Sequence, residues 1–142
     1  MVNKSMELDL AGLEIWAGEF SKKIKAGDVF YLKGDLGAGK TSFVRALLNS
    51  LGFSGPVKSP TYSLIESYDL DNLKIHHLDL YRLKDPSELE QLGLEDLLSE
   101  PCIFFIEWPE CGEGYLPQAT QTIEFLHDPV NPLLRILKTR IL

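Results

Sequence analysis

Cysteine is nearly absent from this chain of 142 residues, and what little there is carries no chemistry of its own. Cys102 and Cys111 form no C-x-x-C pair, which excludes a disulfide scaffold and fits a reducing compartment. Cys102 opens an apolar run and reads as a packing residue; Cys111 sits in a turn. With three histidines beside them, the chain offers no metallocentre of the His/Cys type. No run approaches the ~20 apolar residues needed to cross a membrane, and residues 1–7 have no signal-peptide character. A cytoplasmic protein is expected. Cationic clusters are missing too. The lysines and arginines are scattered, the net charge is −7 and the pI is about 4.9, so an acidic surface would repel phosphate backbones and autonomous nucleic-acid binding is excluded. There are no internal repeats, low-complexity tracts or linkers. One domain spanning 1–142 is expected, large enough for a real core and too small for a separate substrate-recognition domain.

Against this plain background, Gly34-Asp35-Leu36-Gly37-Ala38-Gly39-Lys40-Thr41 is a complete G-x-x-x-x-G-K-[ST] phosphate loop. Its glycines let the backbone curl so that successive N–H groups face phosphate oxygens. Lys40 reaches the β- and γ-phosphates, and the Thr41 hydroxyl is placed to hold Mg²⁺. The loop residues Asp35, Leu36, Gly37, Ala38, Gly39, Lys40 and Thr41, with Ser42 after them, are the candidate ATP contacts. The flanks fit. Asp28-Val29-Phe30-Tyr31-Leu32 reads as a buried strand. Phe43, Ala46, Leu47 and Leu51 then fall at helical spacing, and Gly52 stops the pattern. No Asn-Lys-x-Asp is present to read guanine, which favours ATP over GTP. No arginine-rich lid is present either, which argues against a small-molecule kinase.

Elsewhere the patterning predicts a helix begun by an Asp9 cap, with Leu10, Leu13, Ile15, Trp16, Phe20 and Ile24 on one face. Residues 62–68 and 73–80 alternate around a turn-rich 69–72 and predict a β-hairpin. Asp85-Pro86-Ser87-Glu88 opens a helix as a capping box, Gly93 interrupts it, and residues 94–98 form a second short helix. Residues 102–106 are the most apolar strand. Two more strands are expected over 120–126 and 133–141. The sum is an α/β, P-loop NTPase-like three-layer sandwich with a mixed β-sheet flanked by helices.

A phosphate loop binds nucleotide; hydrolysis needs a second metal contact and a group that orients water. Glu107, directly after the apolar strand, could hold Mg²⁺ through water or polarise the attacking water. Asp79 could do either; period two puts Ile75, His77 and Asp79 on one face. His77 suits an orienting hydrogen bond better than ligation. Ser59, Thr61 and Tyr62 follow the loop helix where a switch-like segment would sense the γ-phosphate, or where a proline-initiated turn would satisfy its own backbone. Trp108 could stack on a base, anchor a partner or simply pack. Arg82 could neutralise phosphate, or pair with Asp79 or Asp85. The acidic run Asp85, Glu88, Glu90, Glu95, Asp96 and Glu100 is either a solvated helix face or a docking surface for a basic partner.

Together, Gly34–Thr41, Val57-Lys58-Ser59-Pro60-Thr61-Tyr62, His77-Leu78-Asp79-Leu80-Tyr81-Arg82-Leu83 and Ile106-Glu107-Trp108-Pro109 closely resemble the bacterial TsaE (YjeE) family, over about residues 8 to 126. The resemblance implies a Mg²⁺-dependent ATPase required for threonylcarbamoyl modification of adenosine 37 in tRNAs that read codons beginning with A. It implies partners TsaD and TsaB, with tRNA met only through them. Carried onto this chain, Lys40 binds phosphates, Thr41 and Glu107 serve the metal, Asp79 supports nucleotide binding or hydrolysis, Ser59 and Thr61 lie in the switch-like loop, and Trp108 lies beside the nucleotide or a partner.

Overall fold

The computed structural model describes residues 3–142. Seven strands form one mixed sheet in the order β1-β7-β6-β2-β5-β4-β3. They are β1 Asn3–Leu8, β2 Val29–Lys33, β3 Ile65–Leu70, β4 Leu73–Asp79, β5 Cys102–Glu107, β6 Gln121–His127 and β7 Arg135–Ile141. The centre is parallel: β2 lies between β5 and β6, and β4 runs alongside β5. The margins are antiparallel hairpins, β3–β4 at one edge and β6–β7–β1 at the other. A parallel centre is buried on both faces, which is why β5 reads Cys-Ile-Phe-Phe-Ile-Glu with every residue buried.

One face of the sheet is covered by α1 (Leu10–Ser21) and α2 (Lys40–Ser50), which pack on each other. Their core is aromatic. Phe43 touches Trp16, Phe20, Phe105 and Phe125, and Phe30 stacks on Phe105 at 5.0 Å between ring centres. The Asp9 carboxylate caps α1 by accepting from the Gly12 N–H at 2.7 Å. The buried face of that helix is narrower than its spacing suggests. Leu13, Ala17 and Phe20 are buried, whereas Leu10 and Ile15 are 63% and 67% exposed. Both lie outside the seam against α2 and the sheet, which Leu13, Ala17 and Phe20 fill with Trp16 packed beside them.

On the other face a smaller layer covers β4, β5 and part of β2. It consists of the 3₁₀ turn Pro86–Leu92, the short helix α3 (Leu94–Leu98) and the 3₁₀ turn Pro109–Gly112. Its core joins Leu78, Leu80, Phe104 and Ile106 to Leu89 and Leu94. The expected first helix is therefore 3₁₀ in form. Asp85 does cap it, accepting from the Ser87 N–H at 2.9 Å. Glu88 does not close a capping box on Asp85; it accepts from the Lys84 N–H at 3.3 Å. The first hairpin strand begins at Ile65 rather than at residue 62, because the chain turns through Leu64 at φ +69°.

Candidate functional site

The parallel pairing of the central strands gathers the site at their C-terminal ends, where crevices of α/β sheets form. The phosphate loop leaves β2, Asp79 ends β4 and Glu107 ends β5. In register, Asp79 lies beside Glu107, and Glu107 beside Leu32. Loop curvature depends on glycine at two points. Gly34 has φ +145°, and a Cβ there would meet the Phe125 carbonyl oxygen at 2.4 Å. Gly39 has φ +108° and precedes α2, whose first turn has no side-chain cap, leaving its N–H groups and the positive end of the helix facing the cleft.

The cleft has a volume of about 220 Å³ and is lined by Leu36, Gly37, Gly39, Lys40, Thr41, Ser42, Thr61, Asp79 and Glu107. Thr41 Oγ1 donates to Glu107 Oε2 at 3.0 Å, and His77 Nε2 donates to the same oxygen at 2.5 Å. Glu107 is 3% exposed and His77 fully buried, so this carboxylate is largely shielded from solvent and held in a fixed orientation at the cleft wall. His77 thus takes the orienting place that its strand position suggested. Asp79 accepts from the Tyr81 N–H at 3.1 Å and, in a long contact of 3.4 Å, from the Thr61 hydroxyl. Burial raises its carboxyl above the usual aspartate range; the Tyr81 N–H opposes this and the neighbouring Glu107 adds to it.

Lys40 is also buried. Its ammonium donates to the Gly34 carbonyl and sits 4.2 Å from the centre of the Trp108 ring. Burial lowers its pKa, against the upward pull of Glu107 and Asp79. Trp108 is held with φ +56°, its ring 4.9 Å from that of Tyr81. Its indole N–H has no partner among the described residues.

Other candidates lie further out. Ser59 bonds the Thr61 hydroxyl at 2.7 Å, so the segment reaches the cleft through Thr61 alone. Tyr62 is 83% exposed and is not among the residues lining the cleft. Of the two alternatives for Arg82, the ion pair with Asp79 or Asp85 does not form among the described residues. Its guanidinium lies over the Tyr62 ring at 4.4 Å. Placement over an exposed ring leaves that cation open to water.

A second pocket, of about 270 Å³, opens on the far side of the phosphate loop. Leu8, Leu10, Leu13, Phe125, Leu133 and Leu137 give it an apolar wall, with Gly37, Gly39 and Arg135 at its mouth. No motif announces it, because its residues come from β1, α1, the loop, β6 and β7. The oxygen donors also fit a divalent cation. Neighbouring ligands of an octahedral Mg²⁺ at 2.0–2.1 Å stand about 2.9 Å apart, close to the 3.0 Å between Thr41 Oγ1 and Glu107 Oε2.

Strand, glycine loop and uncapped helix at the head of the sheet's parallel centre, with two strand-end carboxylates beside them, give the chain a P-loop-like α/β fold. Residues 9–133 match the family model described as "Threonylcarbamoyl adenosine biosynthesis protein TsaE", and the chain belongs to that family. Among curated relatives, the tRNA threonylcarbamoyladenosine biosynthesis protein TsaE of Haemophilus influenzae is 53% identical over 89 residues, 63% of this chain and 56% of that protein. The Bacillus subtilis protein of the same name is 42% identical over 94 residues, 66% of this chain and 58% of that one. The matched region thus spans little more than half the length of these two relatives. A crystal structure of YdiB from Bacillus subtilis superposes with a TM-score of 0.73 at 25% identity, covering 99% of this chain and 88% of that one.

Proposed function

We propose that this chain is the ATP-binding and ATP-hydrolysing subunit required for threonylcarbamoyl modification of adenosine 37 in tRNAs reading A-starting codons. It is a cytoplasmic protein that works with TsaD and TsaB and meets tRNA through them. The observation that carries this reading is the meeting of Lys40, Thr41, Asp79 and Glu107 in one cleft at the head of the sheet. No helix among the described residues is long and apolar enough to cross a membrane.

In this reading the N–H groups of the loop and of the α2 N-terminus bind the phosphates. Lys40 exchanges the Gly34 carbonyl and the Trp108 ring for phosphate oxygens. Thr41 and Glu107 would hold Mg²⁺, which would supply positive charge to neutralise the phosphate oxygens. His77 keeps Glu107 turned toward Thr41. Asp79, buried and raised in pKa, takes a proton from the attacking water, for which a carboxylate is more effective as its pKa approaches the working pH. The apolar pocket beyond the loop accepts the adenine base.

Reconstitution with TsaD, TsaB, tRNA and threonylcarbamoyl donor tests the proposal. The intact chain should sustain ATP turnover and modified tRNA, and Lys40→Ala and Glu107→Ala should abolish both. Undiminished turnover in both variants would refute the assigned roles. The Ser59–Thr61–Asp79 chain favours one second reading, in which ATP orders residues 59–62 and gates a partner with little turnover. That reading requires ATP-dependent association that survives Glu107→Ala.

A further inference from the structure

The end of the sheet opposite the nucleotide cleft holds a groove that the nucleotide reading leaves unused. It lies where β2 and β6 begin and β7 ends, on the face that α1 covers. The helix stops at Ser21, and the chain passes through residues 22–28 before it enters β2. Past the end of the helix a cavity of about 480 Å³ remains over the sheet. That size lies within the range of about 300–1,000 Å³ that small organic ligands occupy.

The apolar wall of the groove is Trp16 and Ile24, both half-buried, with Phe20 and Phe30 behind them. Trp16 packs against Phe20 at 5.1 Å between ring centres, which fixes its indole at the groove. The rim is cationic. Lys4, Lys23 and Lys25 are exposed, and none is in an ion pair among the described residues. Asp28 is the one acidic side chain in the lining, and its carboxylate is turned to its own loop, accepting from the Lys25 N–H at 2.9 Å. With Asp28 and the terminal carboxylate of Leu142 set against the three lysines, the rim still carries net positive charge, in a chain whose own net charge is −7. Between wall and rim lies Thr139. It shares the strand face of Leu137, which sits in the α1–α2 core, so its side chain points to the α1 side. Thr139 is only 7% exposed, and its hydroxyl has no hydrogen-bond partner among the described residues. A nearly buried hydroxyl without a partner is a donor in need of an acceptor.

We propose that this groove binds a small aromatic carboxylate. The ring of the ligand packs on Trp16 and Ile24, where a flat apolar body gains most from an indole face. Its carboxylate accepts from the Thr139 hydroxyl and faces the ammonium groups of the rim. An apolar wall alone would take a neutral hydrocarbon, and a cationic rim alone would take inorganic phosphate. The two together, with an unpartnered donor between them, select a molecule that is flat and apolar at one end and anionic at the other. The lysines stay hydrated, so their share of the affinity is modest and falls as salt is added. The groove sits at the start of β2 and the phosphate loop at its end, so the site stands independently of the nucleotide reading.

Heteronuclear NMR titration of the full chain with naphthoate tests the proposal. The Trp16 indole N–H and the backbone amides of Ile24, Lys25 and Thr139 should shift together and saturate at one naphthoate per chain, while the amides of Gly37 to Thr41 stay in place. Naphthamide, the same ring without the charge, should bind at least about tenfold more weakly. So should naphthoate to Lys23→Glu/Lys25→Glu, whereas Lys84→Glu, a reversal outside the groove, should leave its affinity unchanged. Thr139→Val keeps the shape and removes the donor, and should weaken naphthoate by about threefold or more. Lys23 and Lys25 are exposed, and unchanged thermal melting of the double variant would show that the fold is retained. Shifts centred on the phosphate loop, no saturation at millimolar naphthoate, or equal affinity for naphthamide would overturn the proposal. So would a loss in Lys84→Glu that matches the loss in the double reversal.

Discussion

The buried pair His77–Glu107 carries the sharpest quantitative consequence of the structure. Both side chains are almost wholly buried, and the bond between them is 2.5 Å long. His77→Ala leaves the buried Glu107 carboxylate with only the Thr41 hydroxyl as hydrogen-bond partner. A hydrogen bond to a buried charged group contributes about 1.5–3 kcal/mol, and the vacated ring adds about 1–2 kcal/mol of lost packing. His77→Ala should therefore destabilise the nucleotide-free protein by about 2.5–5 kcal/mol. Glu107→Gln keeps the shape but removes the charge. In a urea-denaturation double-mutant cycle the pair should show a coupling of about 1.5–3 kcal/mol. A coupling below about 0.5 kcal/mol, with additive single effects, would refute the claim that His77 holds Glu107. His77→Ala should also lower ATP turnover more than ATP affinity, since Lys40 and the loop N–H groups remain in place.

Four further outcomes are expected. In a Trp16→Phe background, ATP should change Trp108 fluorescence by drawing Lys40 off the indole, and Lys40→Met should abolish the change. Gly34→Ala should cost about 1–3 kcal/mol from backbone strain alone, with the Phe125 carbonyl contact adding to it, as measured by denaturation. The raised pKa of Asp79 means that turnover should fall on an acid limb centred above the ordinary aspartate range, a limb that Asp79→Asn removes along with activity. The stability sign follows from the same shift. The folded state disfavours the charged form, so the contribution of Asp79 to folding is full below its unfolded pKa and lost as pH rises through its folded pKa. Asp79→Asn should thus be more stable than wild type at neutral pH.

Much of this architecture is legible in the chain because its signals are local. The phosphate loop, the Asp9 cap, the stop at Gly52 and the run Cys102–Glu107 each rest on short-range chemistry, and the structure places them accordingly. Strand β1 was not legible. Asn-Lys-Ser-Met-Glu-Leu is a largely exposed edge strand with weak alternation, ordered by pairing with β7. The adjacency of Asp79 and Glu107 is a fact of parallel register between β4 and β5, which no spacing along the chain encodes. The ion-pair alternative for Arg82 fails for a related reason: carboxylates lie near it in sequence, while the fold offers it the face of Tyr62. Leu10 and Ile15 satisfy a helical pattern whose buried seam runs through Leu13, Trp16, Ala17 and Phe20 instead.

The central claim is that Lys40, Thr41, Asp79 and Glu107 form one ATP–Mg²⁺ site. Calorimetric titration with ATP, with and without Mg²⁺, tests it most directly on wild type, Lys40→Ala and Glu107→Gln. The account predicts one site per chain that Lys40→Ala abolishes, and a gain in affinity from Mg²⁺ that Glu107→Gln removes while binding itself persists. Equal affinity in wild type and Lys40→Ala, or a Mg²⁺ dependence untouched by Glu107→Gln, would contradict it.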